Sequence, residues 1–198
     1  MAKANNFNRE EKKYLRERTL VLIKPEGVSR KLVGRIIQRF EDLDYKIIGL
    51  GLVQASEKIF DQHYPKDQNW VERLATKTLE SAAASGIEVD LKRDYGVKTK
   101  IELGRLIRTW LIKFMASGPI VKICLEGPFA VEKIRKITGA TIPIKAEAGT
   151  IRGDFSFDSA IMANLQKRPV LNLIHAAETK EDALKEIKLW FKDSELSD

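Results

Sequence analysis

Arg18-Thr19-Leu20-Val21-Leu22-Ile23-Lys24-Pro25-Glu26-Gly27-Val28 is the stretch from which the fold can be read. Thr19 to Ile23 is short, apolar and rich in β-branched side chains, the mark of a strand covered on both faces, and it stops at Lys24-Pro25. Pro25 and Gly27 turn the chain. Leu32, Val33, Ile36, Ile37, Phe40 and Leu43 then recur at helical spacing, which predicts an amphipathic helix within 29–43. A second strand is expected over 46–53.

Downstream, Ala55-Ser56-Glu57-Lys58 opens a short helix that ends near His63-Tyr64-Pro65, because proline disfavours helical geometry at the residue before it. Residues 65–106 carry weak helical patterns at 70–84 and lead into a clearer helix at 101–115, so they read as a helical insertion. Ser117-Gly118-Pro119 launches a third strand over 120–126. Gly127-Pro128 then places a proline at the start of a helix running to about Ile137, which Gly139 closes. Residues 139–169 show no sustained period and read as a long loop, a feature that usually carries function. Leu171 to Ala176 reads as a last strand. Thr179-Lys180-Glu181-Asp182 has capping-box spacing ahead of Ala183, Leu184, Ile187, Trp190 and Phe191, so a final helix is expected there. The order predicts an α+β fold, a ferredoxin-like four-stranded antiparallel sheet with helices packed on it. Residues 1–17 form an N-terminal extension in this reading, and 18–198 one domain with the 65–106 insertion.

Composition narrows the function classes. At 198 residues, 43% apolar and 32% charged, the chain has material for one core and is not a disordered tract. It has no apolar run long enough to span a bilayer and a polar start, so a cytoplasmic location is expected. Cys124 stands alone, which excludes an internal disulfide or a thiolate metal site, and its strand-like surroundings predict a buried small hydrophobe. Lys plus Arg exceed Asp plus Glu by 35 − 28 = 7, an excess that attracts nucleic acid or small phosphorylated ligands alike. No aromatic-basic RNA-binding motif accompanies it, so nucleic acid is not expected as a partner.

The chain lacks the P-loop and dinucleotide glycine motifs, the Gly-x-Ser-x-Gly elbow and the His-Glu-x-x-His pair. It has two histidines, His63 and His175, too few for a histidine-based metal site without carboxylates. Two stretches remain informative. Asn172-Leu173-Ile174-His175-Ala176-Ala177-Glu178 sets a histidine at a strand end just before a capped helix. Gly149-Thr150-Ile151-Arg152-Gly153-Asp154-Phe155 sets an arginine between glycines, where backbone can approach a ligand and a guanidinium can fork onto phosphate.

Together with the opening stretch, these pieces resemble the nucleoside diphosphate kinase family. Leu32-Val33-Gly34-Arg35-Ile36-Ile37, Arg39-Phe40-Glu41, His63-Tyr64, Ser117-Gly118-Pro119, Asn172-Leu173-Ile174-His175 and Glu186-Ile187 also match, in the family's order, across 18–191. The resemblance implies transfer of the γ-phosphate of a nucleoside triphosphate to a nucleoside diphosphate, by a ping-pong cycle through phospho-His175. It implies that Glu186 orients the imidazole, that Lys24 and Tyr64 flank the γ-phosphate, and that Arg135, Thr141 and Arg152 hold the β and γ groups. Asn172 is then expected on the ribose, and Ile107 and Leu111 at the base. Mg²⁺ is implied as carried by the nucleotide phosphates, with no protein ligand. A homo-oligomer is implied, built in part by the loop near Thr141-Ile142-Pro143. His63 has no mechanistic part in the family and is assigned to structure.

The sequence departs from the family's pattern at three places. Ala177 stands where a serine usually bonds the glutamate, and Ala176 replaces a glycine. Ile107 stands at the aromatic position of the base cleft, where Trp70 or Trp110 is a candidate substitute. The insertion lies beside that cleft and is a candidate lid. Ala177 and the insertion also motivate a rival reading, a catalytically weak relative acting as a nucleotide-binding or scaffold subunit.

Overall fold

The computed structural model describes residues 16–197. Four strands, β1 (Glu17–Ile23), β2 (Lys46–Val53), β3 (Ile120–Gly127) and β4 (Ile174–Ala176), form one sheet in the order β2-β3-β1-β4. All neighbours are antiparallel, with Val21 opposite Ile123 and Leu22 opposite His175. The α+β, ferredoxin-like reading therefore holds, with the two central strands those called from Thr19–Ile23 and Ile120–Glu126. Most of the N-terminal extension lies outside the described residues. Glu17, assigned to that extension, instead belongs to β1, where its Oε1 accepts from Val131 N at 2.9 Å.

Strand alternation divides the interior into two cores. From β1, Val21 and Ile23 face one side with Ile36, Phe40, Ile134 and Leu173. Leu20 and Leu22 face the other with Phe60, Ile112, Met115, Ile187 and Trp190. The first side is covered by α2 (Val33–Glu41) and α7 (Ala130–Thr138), the second by α3 (Glu57–His63), α6 (Lys100–Ala116) and α10 (Lys180–Trp190). Cys124 is buried on that second side, where desolvation pushes its thiol up to about 12, so it is the inert hydrophobe expected. A bulge at Ile48 in β2 leaves Ile48 O free to accept from Ser197 N at 2.7 Å. Beside it, a Cβ on Gly49 would lie 2.8 Å from both Leu196 and Phe191, so only glycine admits the C-terminal segment.

Residues 65–106 contain α4 (Gln68–Ala83), α5 (Leu91–Tyr95) and the start of α6. Asp67 caps α4 through Trp70 N, and Thr99 with Glu102 forms a capping box on α6. The two helices pack closely: a Cβ on Gly104 would sit 2.1 Å from Val71 O.

The structure corrects the sequence reading in four places. The helix expected within 29–43 is shortened to α2, and the turn expected at Pro25 and Gly27 is a short helix, α1 (Pro25–Ser29), with Lys31 at φ 58 between the two. Pro128 does not open α7, because Phe129 intervenes as its N-cap at φ 51. The supposed loop 139–169 holds α8 (Ile151–Phe155) and α9 (Ala160–Leu165), capped by Thr150 and Ser159, and a 3-10 turn (Pro143–Lys145). Such short helices give too few turns for a period to register. The last strand is three residues rather than six, because Leu173 adopts φ 66 and leaves the ladder.

Candidate functional site

His175 lies in the edge strand β4, and its position next to the Leu173 bend turns the ring toward a cleft of about 750 Å³. Volumes of this order hold a nucleotide-sized ligand. His175, Lys24, Tyr64, Arg152, Glu186, Ile107, Leu111, Arg135, Thr141 and Asn172 all line that one cleft. The structure thus brings together all ten of these residues, from segments more than a hundred residues apart.

At the centre, His175 Nε2 lies 2.8 Å from Glu186 Oε2, so that nitrogen of the ring is engaged and Nδ1 is the one that remains. Burial, followed by the nearby cations Lys24, Arg152 and Arg135, pushes the imidazolium down to about 3, so the ring is neutral at physiological pH. Burial pushes Glu186 the other way, up to about 7.

Lys24 follows β1 directly. Its backbone N donates to Leu173 O at 2.8 Å, and its Nζ donates to Asn172 Oδ1 at 2.6 Å. Desolvation lowers this ammonium to about 8, offset in part by Glu26. Asn172 is held from its other end, where Nδ2 donates to Thr141 O at 2.8 Å. Arg152, on α8, is buried and donates to three backbone carbonyls, Asn172 at 3.1 Å, Gly139 at 2.9 Å and Ile174 at 2.7 Å. It therefore ties the loop to the strand that carries His175 as well as facing the cleft. Arg135, on α7, is half exposed and lies 3.9 Å from Glu178. Tyr64, just past α3, is buried with an unpartnered hydroxyl, and burial raises its phenol far above the ordinary range.

The far end of the cleft is apolar on one side. Ile107 and Leu111 lie one turn apart on α6, facing Trp70 of α4, which stacks on Tyr64 at 6.0 Å and 29°. Trp110 packs instead against Tyr95 and does not line the cleft. Of the two tryptophans considered, Trp70 is the one in place.

Sequence reading missed several contributors. Glu26 accepts from Leu173 N at 2.7 Å and so supports the bend before β4. Arg73, Leu74 and Lys77 follow Trp70 along the face of α4 that lines the cleft, and their three- and four-residue spacing was the available signal. Trp190, assigned to the core, also donates its indole N–H to His63 Nδ1 at 3.2 Å.

The donor chemistry fits a cation that arrives on phosphate, since the side chains converging on the cleft at Lys24, Arg135 and Arg152 are themselves cationic. Among the described residues no helix is long and apolar enough to cross a membrane.

The family model described as nucleoside diphosphate kinase matches residues 17–85 and 104–196. A nucleoside diphosphate kinase of Pyrobaculum aerophilum is 42% identical over 180 residues, covering 91% of this chain and 97% of that protein. The crystal structure of an NDP kinase from the same organism superposes with a TM-score of 0.88 at 39% identity, over 92% of this chain and 100% of that one. A transition-state mimic of the Borrelia burgdorferi nucleoside-diphosphate kinase, with bound vanadate and ADP, superposes at 0.73 with 31% identity, over 93% and 92% of the two chains. With its fold and nearly its whole length matched, the chain belongs to the nucleoside diphosphate kinase family.

Proposed function

We propose that the chain transfers the γ-phosphoryl group of a nucleoside triphosphate, typically ATP, to a nucleoside diphosphate by a ping-pong cycle through phospho-His175. The observation that carries the reading is the 2.8 Å pairing of His175 Nε2 with Glu186, which leaves Nδ1 as a neutral nucleophile in a cleft facing cations. Nδ1 attacks the γ-phosphorus, the bridging P–O bond breaks, and its electron pair leaves with the diphosphate. The ring keeps its proton on Nε2, and the Glu186 carboxylate offsets the positive charge that develops. A second diphosphate then takes the group by the reverse step.

Phosphoryl transfer leaves mainly positioning and charge stabilisation to the protein. Lys24 and Tyr64 flank the γ-phosphate, Arg135, Thr141 and Arg152 hold the β and γ groups, and Asn172 bonds the ribose. Ile107 and Leu111 cover one face of the base, with Trp70 supplying the aromatic surface that Ile107 lacks. Mg²⁺ bound to the nucleotide phosphates supplies neutralisation of their charge. The domain is taken as 18–198 with a helical insertion at about 65–106, of which α4 walls the cleft as a lid. A homo-oligomer in the cytoplasm completes the proposal, and the exposed apolar side chains Ile144, Phe157 and Leu165 support association.

The scaffold alternative rests on Ala177 and the insertion. That side chain is wholly buried against Val131 and Ala183, so packing occupies the place of a hydroxyl. Brief incubation with γ-labelled ATP separates the readings. An acid-labile label is expected, chased by several diphosphates and absent in His175→Ala, which opens no large core cavity. A folded protein that takes no label would refute the enzyme reading.

A further inference from the structure

His63 closes α3 beside the nucleophile, 8% exposed, and takes no part in the mechanism above. Its hydrogen bonding nevertheless fixes its chemistry. The Trp190 indole N–H can only donate, so His63 Nδ1, 3.2 Å away, must accept. Burial, and then His175, keep the ring neutral, so its one proton sits on Nε2. That Nε2 is buried and unpartnered, and the ring stands edge-on to His175 at 4.5 Å and 80°.

His63, His175 and Glu186 each present one nitrogen or carboxylate oxygen within 4.8 Å of the other two. The composition is that of a metal site, but the tautomer argues against one. To ligate through Nε2 while Nδ1 accepts from Trp190, His63 would have to be an imidazolate, whereas a metal-bound histidine ordinarily donates its second N–H. What His63 offers the cluster is a proton donor, at a separation that one bridging water spans.

We propose that His63 is a positioning residue, its Nε2–H donating through one water to Glu186 and holding the ionised carboxylate that orients the nucleophile. The proposal rests on the reading of His175 as phosphoryl carrier. The ionisation matters because a protonated Glu186 would donate to His175 Nε2 and force the ring proton onto Nδ1, the nitrogen that must attack. A donor to the carboxylate favours its charged form.

The other charged or titratable groups around the pair come from every side. Asp182, one turn earlier on α10, raises Glu186, and Lys24, Arg152 and Arg135 face His175 from the end of β1, from α8 and from α7. Tyr64 and Glu26 complete the surround. The three cations are engaged by phosphate once nucleotide binds, while His63 stays on Glu186 throughout. Ala177, the residue two beyond the nucleophile, has no side-chain donor to share the task.

The test is single-turnover phosphorylation by γ-labelled ATP from pH 5.5 to 9 for the full chain, His63→Phe and His63→Gln. Glutamine can accept from Trp190 and still donate. In His63→Phe the acid limb should rise by about one pH unit, giving about a tenfold loss at pH 6.5 that disappears by pH 9, with ATP affinity unchanged there. His63→Gln should restore most of the parental profile. A His63→Phe profile superposable on the parent's, or lowered equally at every pH, would overturn the proposal. Nitrogen-15 NMR of the parent's imidazoles tests it without a variant: a bare Nε2 on His63 would also overturn it, and a protonated one supports it. Failure of the parent to form any phosphoenzyme would sink the His175 reading instead, and the NMR result would still stand.

Discussion

Replacing Arg152 by alanine should destabilise the fold as well as slow the chemistry, and the structure gives the size of the first effect. The guanidinium donates to the carbonyls of Asn172, Gly139 and Ile174. Bonds from a charged donor contribute roughly 1.5 to 3 kcal/mol each, so the three together give about 4 to 9 kcal/mol gross. Against that stands the desolvation that lowers this guanidinium to about 10. At 1.36 kcal/mol per pH unit, that penalty is about 3 kcal/mol. A net loss of about 3 kcal/mol corresponds to a melting temperature lower by about 6 to 12 °C in a chain of this length. Scanning calorimetry without nucleotide reads this directly. Arg152→Lys should keep most of the loss, because one ammonium cannot reach carbonyls arranged for a planar fork. Labelling by ATP should in addition slow by about 10²- to 10³-fold, the usual consequence of removing a charge-stabilising donor. An Arg152→Ala protein that melts within about 2 °C of the parent would refute the idea that this side chain staples the loop to β4.

Three other perturbations probe the cleft and its wall. Because Lys24 is lowered to about 8 in the free site, binding of phosphates should raise it, take up protons near pH 8, and weaken as pH rises through that value. Calorimetric titration in two buffers of different ionisation enthalpy measures the uptake, and a buffer-independent heat would contradict it. Trp70→Ala should raise nucleotide KM about tenfold through loss of base–aromatic contact, with Ile107→Phe shifting KM the other way. Unchanged KM in both variants would remove the base from this end of the cleft. Gly104→Ala should destabilise by about 1 to 3 kcal/mol in denaturant titration, since its Cβ would meet Val71 O at 2.1 Å. An undiminished midpoint would mean that α4 does not pack on α6 this closely.

Much of this was legible because the informative segments obey simple periods. The strand β2 appears with the bounds expected for it, and α10 begins at Thr179, the threonine whose capping-box spacing marked the helix. The candidate residues were found through motif resemblance, and no pattern in the chain itself says that Lys24 and Asn172 meet at 2.6 Å, 148 positions apart. Where reading failed, the determinant was non-local or too brief. The helices at 151–155 and 160–165 have no second turn on which a face could show. Asp158 organises the segment after them by accepting from Arg168 and Leu171 N, a set of bonds that leaves no trace in hydropathy. His63 read as structural because nothing in sequence tells which nitrogen of a ring is protonated. That depended on Trp190, 127 positions away.

The shortness of β4 is itself the device that supports the site. A six-residue strand over 171–176 would have placed the carbonyls around the nucleophile in a regular ladder with β1. Leu173 at φ 66 leaves that ladder, a conformation costing a non-glycine residue about 1 to 2 kcal/mol, and its N–H is compensated by Glu26 Oε1. Leu173 O still receives Lys24 N in the register of the ladder, whereas Leu173 N turns away from it to Glu26, and Asn172 O and Ile174 O both receive Arg152. The carbonyls on either side of the bend thus anchor the Arg152 guanidinium and the bend's own carbonyl holds the Lys24 backbone, while Asn172 lies within reach of the Lys24 ammonium. The irregularity that hid the strand's true length from periodicity is what couples the nucleophile's backbone to the groups that would hold its phosphate.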